Sequence, residues 1–218
     1  QGNFFQAKLM KGQVGEVMKI INNAGQSDRT AFLWLSEQGS QLPFGKWTCY
    51  DTGIHAAAVM RWPNTIKAGK ETDALVSYVD VVPTFIEMAG GTPHEEDLDG
   101  KSFLPVLKGQ RDIHHEVVFA MHTTRGIYHG SEAFGIRAAT DGDWLYIRNL
   151  HPHIAFENMV TDRGREYHSW KEVESSFARD RVSLYQRRPA EELFFLPDDP
   201  WCLENRAGEV EREILSSK

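Results

Sequence analysis

The sequence predicts an α/β sheet domain over residues 1–112, followed by a small α+β subdomain with an antiparallel sheet over residues 113–218. Two observations favour this fold class. In the first part, an amphipathic helix is followed by a short polar loop and an apolar strand, which is typical of a layered α/β domain with a mostly parallel sheet. From His114 onward, short strand-like runs alternate with turns, which is typical of antiparallel sheets.

The composition is that of a globular protein and excludes some functions. Hydrophobic residues make up 41% and charged residues 25% of the chain, which is ample for a core. The net charge of −7 argues against a nucleic-acid partner, since such proteins usually have a basic surplus. No apolar run approaches the roughly 18 residues of a membrane span. The distant Cys49 and Cys202 could form a disulfide or remain buried thiols.

Periodicity and stop signals place the elements of the first part. Apolar residues recur at helical spacing between Val14 and Ile21, and a stop follows at Gly25, so the first helix spans about residues 8–24. A buried strand is predicted at residues 30–35, a second apolar run at 54–62 and a brief strand or turn at 75–78. Two further helices are predicted at residues 79–90 and 102–107.

The second part is predicted to contain four strands and one long helix. Asp141-Gly142 is a hairpin turn between two strand-like runs. A polar stretch over residues 170–186 is interpreted as helical. The strands are placed at residues 117–121, 136–140, 144–148 and 192–196.

Polar residues directly follow the first predicted strand. Glu37 and Gln38 come just after Leu35, and open parallel sheets bind ligands outside the carboxyl ends of their strands. A carboxylate and an amide carbonyl are hard oxygen ligands of the kind that Ca²⁺ and Mg²⁺ prefer. The residue types alone also fit a solvated surface turn.

A lone cation, Lys46, lies in the following loop between Gly39, Gly45 and Gly53. Glycines let a backbone approach a ligand closely, and a lysine there supplies a point charge for an oxyanion. An exposed loop lysine without a ligand is the alternative interpretation.

Several segments of the chain agree, in order and spacing, with the motifs of one known protein family. The segment GKWTCYDTGIH at 45–55, with RWP at 61–63 and IKAG at 66–69, is similar to the family passage GKWTLYEGGIR…RWPG.IKAG. Further segments that agree in order and spacing are DALVSYVDVVPT, LDGKSFLPVL, PAEELF and DDP, at 73–84, 98–107, 189–194 and 198–200. By this resemblance the chain is identified as the C-terminal portion of a sulfatase, similar to the branch that contains heparan N-sulfatase.

The resemblance implies an alkaline-phosphatase-like fold and hydrolysis of a sulfate ester or sulfamate, with a sulfated carbohydrate as substrate. In the family, a divalent ion, usually Ca²⁺ (here Ca²⁺ or Mg²⁺), holds the sulfate against a formylglycine nucleophile. Glu37 and Gln38 correspond to the later pair of metal ligands, with Glu where relatives have Asp. Lys46 corresponds to the lysine that contacts the sulfate oxygens, whereas His55 stands where relatives have Arg and receives no role.

Other family elements do not occur in these residues: the nucleophile motif, the early Asp-Asp pair and the histidine that protonates the leaving group. The resemblance therefore implies that formylglycine and half of the metal site lie outside this chain, in an N-terminal part of the same polypeptide. This chain alone is expected to be inactive. The family favours a periplasmic, extracellular or lysosomal location.

His122 and Arg125 follow the predicted strand over 117–121. In sulfatases the C-terminal subdomain leans over the pocket mouth, so the resemblance makes both residues candidate substrate contacts. An ordinary polar loop is the alternative. The Arg187-Arg188 pair is interpreted as a helix end whose cations offset the helix dipole.

Two other functions remain open. A phosphate or phosphonate monoester hydrolase shares the fold and the metal pair, and the nucleophile region would discriminate it from a sulfatase. A non-catalytic glycan-binding relative is suggested by the change from Asp to Glu at Glu37.

Overall fold

The computed structural model describes residues 2–123, 129–130 and 133–209, with side chains described from residue 10 onward. Arg125 lies outside the described residues. In chain order the elements are α1 (Gly2–Asn23), β1 (Phe32–Leu35), α2 (Asp51–Ile54), β2 (Ala58–Arg61), α3 (Val81–Met88), α4 (Leu104–Leu107), β3 (Val118–Thr123), β4 (Gly135–Thr140), β5 (Trp144–Asn149), α5 (Met159–Arg163), α6 (Arg165–Glu172), α7 (Ser176–Gln186) and β6 (Glu191–Phe195).

The chain divides into two compact units, and neither unit is continuous in sequence. The first unit comprises Gln1–Leu35, Ala58–Ala74 and Tyr78–Asp112, and the second comprises Ser36–Ala57, Leu75–Ser77 and Ile113–Lys218. The predicted domain border at residue 112 does not account for residues 36–57, which belong to the second unit. This segment contains Glu37, Gln38 and Lys46, so all three lie in the second unit.

In the first unit, β1 and β2 pair antiparallel, with Phe32 opposite Arg61 and Leu35 opposite Ala58. The parallel pairing predicted for this part is wrong for these two strands. The chain reverses between them, and the Ser36 N–H donates to the Ala57 carbonyl at 2.9 Å where the reversal begins. Strand pairing is thus set by the return path of residues 36–57, which an apolar pattern does not encode.

The segment after α3 is tied to that helix by buried polar contacts. The Thr84 hydroxyl donates to the Asp80 carbonyl at 2.7 Å and accepts from the Phe103 N–H at 3.0 Å. The Asp80 carboxylate accepts from the Lys101 N–H at 3.0 Å. Because these bonds satisfy buried backbone groups on both sides, residues 101–103 are fixed against the start of α3.

The second unit contains the predicted antiparallel sheet, in the order β3-β4-β5-β6. The hairpin between β4 and β5 forms where Asp141-Gly142 predicts it, and the Asp141 carboxylate accepts from the Trp144 N–H at 2.7 Å. The predicted long helix is instead two helices, α6 and α7, and the Ser175 hydroxyl caps α7 by accepting from the Ala178 N–H at 3.3 Å.

One hydrophobic core fills the second unit between the inner face of the sheet, the helices and residues of the 36–57 segment. Its largest buried side chains are Phe44, Tyr50, Phe134, Ile136, Leu145, Ile147, Phe156, Tyr167, Tyr185 and Phe194. Cys49 and Cys202 are also buried there, and both are free thiols. None of the described helices has the length and apolar character needed to span a membrane.

Candidate functional site

Glu37 and Gln38 lie just beyond the end of β1, as the sequence predicts. Glu37 is exposed and Gln38 is half-buried, and neither side chain hydrogen-bonds to another residue within the described part of the chain. Their oxygens are therefore available to a ligand. A carboxylate with a neutral carbonyl suits a hard cation chemically, so these residues fit half of a Ca²⁺ or Mg²⁺ site.

Residues 39–53, here called the lysine loop, close tightly on themselves. The Gly39 N–H donates to the Gly53 carbonyl at 3.1 Å, and the Lys46 N–H donates to the Ser40 carbonyl at 2.7 Å. A Cβ atom at Gly45 would lie 2.2 Å from the Ser40 carbonyl oxygen. The sequence analysis explained these glycines by close approach of a ligand to the backbone. In the structure they let one side of the loop pass close to the other.

Hydroxyl groups stabilise the turn of the loop before Lys46. The Thr52 hydroxyl donates to the Phe44 carbonyl at 2.7 Å, and the Thr48 hydroxyl donates to the Gly45 carbonyl at 2.6 Å. Phe44 and Trp47 both have left-handed backbone, with φ of 65° and 66°, a conformation that non-glycine residues rarely adopt. Such a backbone persists where surrounding contacts over-determine it, as at ligand-binding sites.

The Lys46 side chain is half-buried and contacts an aromatic ring rather than a carboxylate. Its Nζ atom lies 5.1 Å from the centroid of the Trp47 ring, and no ion pair to Lys46 forms within the described residues. A cation–π contact stabilises an ammonium without neutralising its charge. Lys46 is therefore able to bind an anion.

Two aromatic residues of the lysine loop insert into the core of the second unit. The Phe44 ring centroid lies 5.1 Å from that of Tyr50 and 5.2 Å from that of Tyr185, and the Arg181 guanidinium lies 3.8 Å from the Phe44 ring centroid. The Tyr50 hydroxyl donates to Glu192 at 2.6 Å. Burial raises the pKa of Tyr50 well above its usual range, so this hydroxyl keeps its proton.

His122 lies on β3 and faces the core, where its ring is 6.2 Å from that of Phe156. Its Nε2 atom is buried and has no hydrogen-bond partner among the described residues. Burial, together with the nearby Arg188 cation, lowers the pKa of His122 to about 4. The imidazole is therefore neutral near pH 7. It can donate or accept a hydrogen bond, but it carries no positive charge with which to attract a sulfate.

Arg188 is not a simple helix-end cation, as the sequence interpretation had it. It is only 2% exposed, and its guanidinium lies 4.0 Å from the Phe156 ring centroid and 5.1 Å from that of Tyr50. Its Nε donates to the Tyr185 carbonyl at 3.2 Å. The charge of Arg188 is thus held beneath the lysine loop by aromatic faces, within the core.

Sequence analysis also missed Glu192, a fully buried carboxylate that contacts the lysine loop through Tyr50. A signal for it exists in β6, where alternation places Glu192 on the same face as the buried Phe194 and opposite to that of Glu191. That pattern predicts a carboxylate inside the core. It does not predict the partner, because Tyr50 is 142 positions away.

Comparisons with known proteins show the family to which the chain belongs. Residues 39–150 match the family described as "N-sulphoglucosamine sulphohydrolase, C-terminal". An ulvan-active sulfatase of Formosa agariphila is 32% identical over 94% of this chain, which spans only 39% of that relative.

Solved structures show the fold. The chain is similar to a 2-O GAG sulfatase, with a TM-score of 0.68 and 18% identity over 96% of this chain and 39% of that one. It is also similar to a phosphonate monoester hydrolase of Agrobacterium radiobacter, with a TM-score of 0.63 and 21% identity over 94% of this chain and 36% of that one. The fold is alkaline-phosphatase-like. With the family match over half of its length, the chain belongs to the sulfatase family and corresponds to the C-terminal part of its members.

Proposed function

We propose that the full-length protein hydrolyses a sulfate ester or sulfamate on a sugar. The observation that carries this proposal is Lys46, an ammonium without a carboxylate partner among the described residues, in a hydrogen-bonded loop that follows Glu37 and Gln38 directly in sequence. The relative that acts on ulvan supports a sulfated carbohydrate as substrate.

In this proposal Lys46 binds the oxygens of the sulfate group. The negative charge on those oxygens is redistributed as the S–O or S–N bond breaks. A positioned ammonium in a partly desolvated site stabilises that charge in the transition state. The lysine loop fixes the backbone from which the ammonium extends, because that backbone is held by the Ser40 and Gly53 carbonyls.

Glu37 and Gln38 would hold a Ca²⁺ or Mg²⁺ ion together with ligands from the N-terminal part of the polypeptide. When bound, such an ion polarises an oxygen of the group being transferred. The Glu37 carboxylate extends one methylene further than an Asp would, and its exposure leaves room for that extra length. The formylglycine nucleophile would also come from outside this chain, and a periplasmic, extracellular or lysosomal location is proposed with it.

A phosphonate monoester hydrolase is the second candidate, favoured by the likeness to the Agrobacterium radiobacter enzyme. A lysine beside a hard-metal site would bind phosphonate oxygens as well as sulfate oxygens, so the residues of this chain do not discriminate between the two reactions. A glycan-binding protein without catalysis is the third candidate, since Glu37 replaces the usual Asp.

The test uses the full-length protein with an aryl sulfate, a sulfated oligosaccharide and an aryl phosphonate monoester as parallel substrates. We expect metal-dependent turnover of the sulfates and its loss in Lys46→Ala. Lys67→Ala, which removes an exposed lysine outside the lysine loop, is the matched control and should keep full activity. Preferential turnover of the phosphonate, or sugar binding without turnover, would replace the proposal with the second or third candidate.

A further inference from the structure

The carboxylate of Glu192 lies beneath the lysine loop with no access to solvent. Its Oε2 accepts from the Tyr50 hydroxyl at 2.6 Å, and its Oε1 accepts from the Asn149 side-chain amide at 2.8 Å. Burying a carboxylate costs free energy even when it is hydrogen-bonded, and well-packed apolar side chains can often fill the same space without that cost. The Tyr50–Glu192 hydrogen bond is therefore better explained by the geometry that it imposes on the lysine loop than by a gain in the free energy of folding.

Asn149 of β5 fixes the side chain of Glu192 on the neighbouring strand β6. The same Asn149 amide that donates to Glu192 also donates to the Pro189 carbonyl at 2.8 Å. The Asn149 backbone N–H donates to the Ala190 carbonyl at 2.9 Å. Glu192 thus belongs to a rigid frame formed by β5 and β6.

A chain of backbone hydrogen bonds connects Tyr50 to Lys46. The Tyr50 carbonyl accepts from the Gly53 N–H at 2.7 Å, and the Gly53 carbonyl accepts from the Gly39 N–H at 3.1 Å. Ser40, the next residue, accepts from the Lys46 N–H at 2.7 Å. The position of Tyr50, set by its bond to Glu192 of β6, therefore sets the position of the Lys46 backbone.

We propose that Glu192, acting through Tyr50, is a positioning residue that fixes where Lys46 meets the substrate. This proposal rests on the proposed function of Lys46. Glu192 touches no reacting atom, and its effect is to keep the lysine loop in one position. Small displacements of a charge-stabilising group reduce turnover strongly, by up to about a hundredfold for about 1 Å.

A double-mutant cycle in the full-length enzyme tests the proposal. Tyr50→Phe removes the hydroxyl, and we expect kcat/KM to fall about tenfold or more, with the loss in kcat. In a Lys46→Ala background, Tyr50→Phe should cause no further loss, because the group that it positions is already absent. A role in stability alone would multiply the two losses instead.

Tyr146→Phe is the matched control. Tyr146 hydrogen-bonds to Glu191, the neighbour of Glu192 on β6, but this pair lies on the other face of the sheet. Its loss should leave kcat/KM unchanged. Glu192→Gln keeps a side chain of the same shape, with an amide that can accept from Asn149 and donate to Tyr50, and it should retain most of the activity.

Amide hydrogen exchange over residues 45–50 of the full-length protein gives a readout independent of activity. Faster exchange in Tyr50→Phe than in Tyr146→Phe, together with the non-additive cycle, would support the proposal. Multiplicative losses, or unchanged exchange in Tyr50→Phe, would overturn it. Wild-type protein without sulfatase activity would refute the proposed function, and the exchange result would still decide whether Glu192 holds the loop.

Discussion

The two units differ in where the large hydrophobic core lies, because the main buried apolar cluster belongs to the second unit. That cluster includes the fully buried Ile136 and Ile147. Both units expose some large apolar side chains, and in the first unit Ile20 of α1 is 68% and Val59 of β2 is 61% exposed. The first unit therefore leaves apolar surface open. Since the chain spans 39% of its ulvan-active relative, we expect the N-terminal part of the polypeptide to cover that surface.

Lys46 and Glu37 differ in how they are held, although both lie in the second unit. Lys46 lies in a loop that Phe44 and Tyr50 anchor in the core of the second unit. Glu37 lies in the same unit but is exposed, and its carboxylate has no partner among the described residues. The loop that bears Lys46, the proposed sulfate contact, is thus anchored in the core, whereas Glu37, the proposed metal ligand, is exposed.

The largest expected effect is the absence of activity in this chain by itself. Covalent catalysis without its nucleophile loses most of its rate, and the motif that becomes formylglycine does not occur in these residues. We expect the purified chain to show no metal-dependent hydrolysis of an aryl sulfate. If the chain turned over the aryl sulfate faster than buffer alone, and a chelator abolished that turnover, the placement of the nucleophile outside this chain would be wrong.

Substitutions in the two units should destabilise differently. Ile147→Ala, at a fully buried position, should lower the free energy of unfolding by about 2–5 kcal/mol. Val59→Ala should have almost no effect in this chain, but about 1–2 kcal/mol in the full-length protein if the N-terminal part buries it. Denaturant unfolding at both chain lengths measures this. Equal effects of Val59→Ala at the two lengths would mean that this surface stays open.

The units also differ in how far the sequence predicts them. The strands of the second unit follow from alternation and from the Asp141-Gly142 turn, both of which are local signals. The antiparallel pairing of β1 and β2 and the place of residues 36–57 depend on contacts distant in sequence, and the sequence interpretation missed them.

The candidate site could be predicted only through the resemblance. Glu37, Gln38 and Lys46 were weak candidates by residue type and spacing, and the order of family segments selected them. The support of Lys46 by Tyr50 and Glu192 was not predictable, because a hydrogen bond across 142 positions leaves no periodic pattern. The roles of the three candidates remain predictions.

Removing the lysine and removing the carboxylate should have different signatures. In the full-length enzyme, Lys46→Ala should raise the barrier by about 2–4 kcal/mol with metal binding retained, as for other charge-stabilising donors. Glu37→Ala should weaken metal binding and activity together, because a hard cation loses its charged ligand. Calorimetric metal titration beside kinetics separates the two cases. Lys67→Ala and Glu95→Ala, both at exposed positions, are the controls, and loss of metal in Lys46→Ala would contradict the assignment.

The smallest expected effect concerns His122, in the second unit. Burial and Arg188 lower its pKa from 6.5 to about 4, so between these pH values the unfolded chain binds a proton that the folded chain does not. Stability therefore falls as the pH drops from about 6.5 to about 4, and the effect is small because the partly exposed ring is screened by solvent. His122→Phe, which keeps a ring beside Phe156, should flatten the pH dependence of the free energy of unfolding over that range. His153→Phe, at an exposed imidazole, should leave the dependence as in wild type, and equal slopes in wild type and His122→Phe would show that His122 is not desolvated.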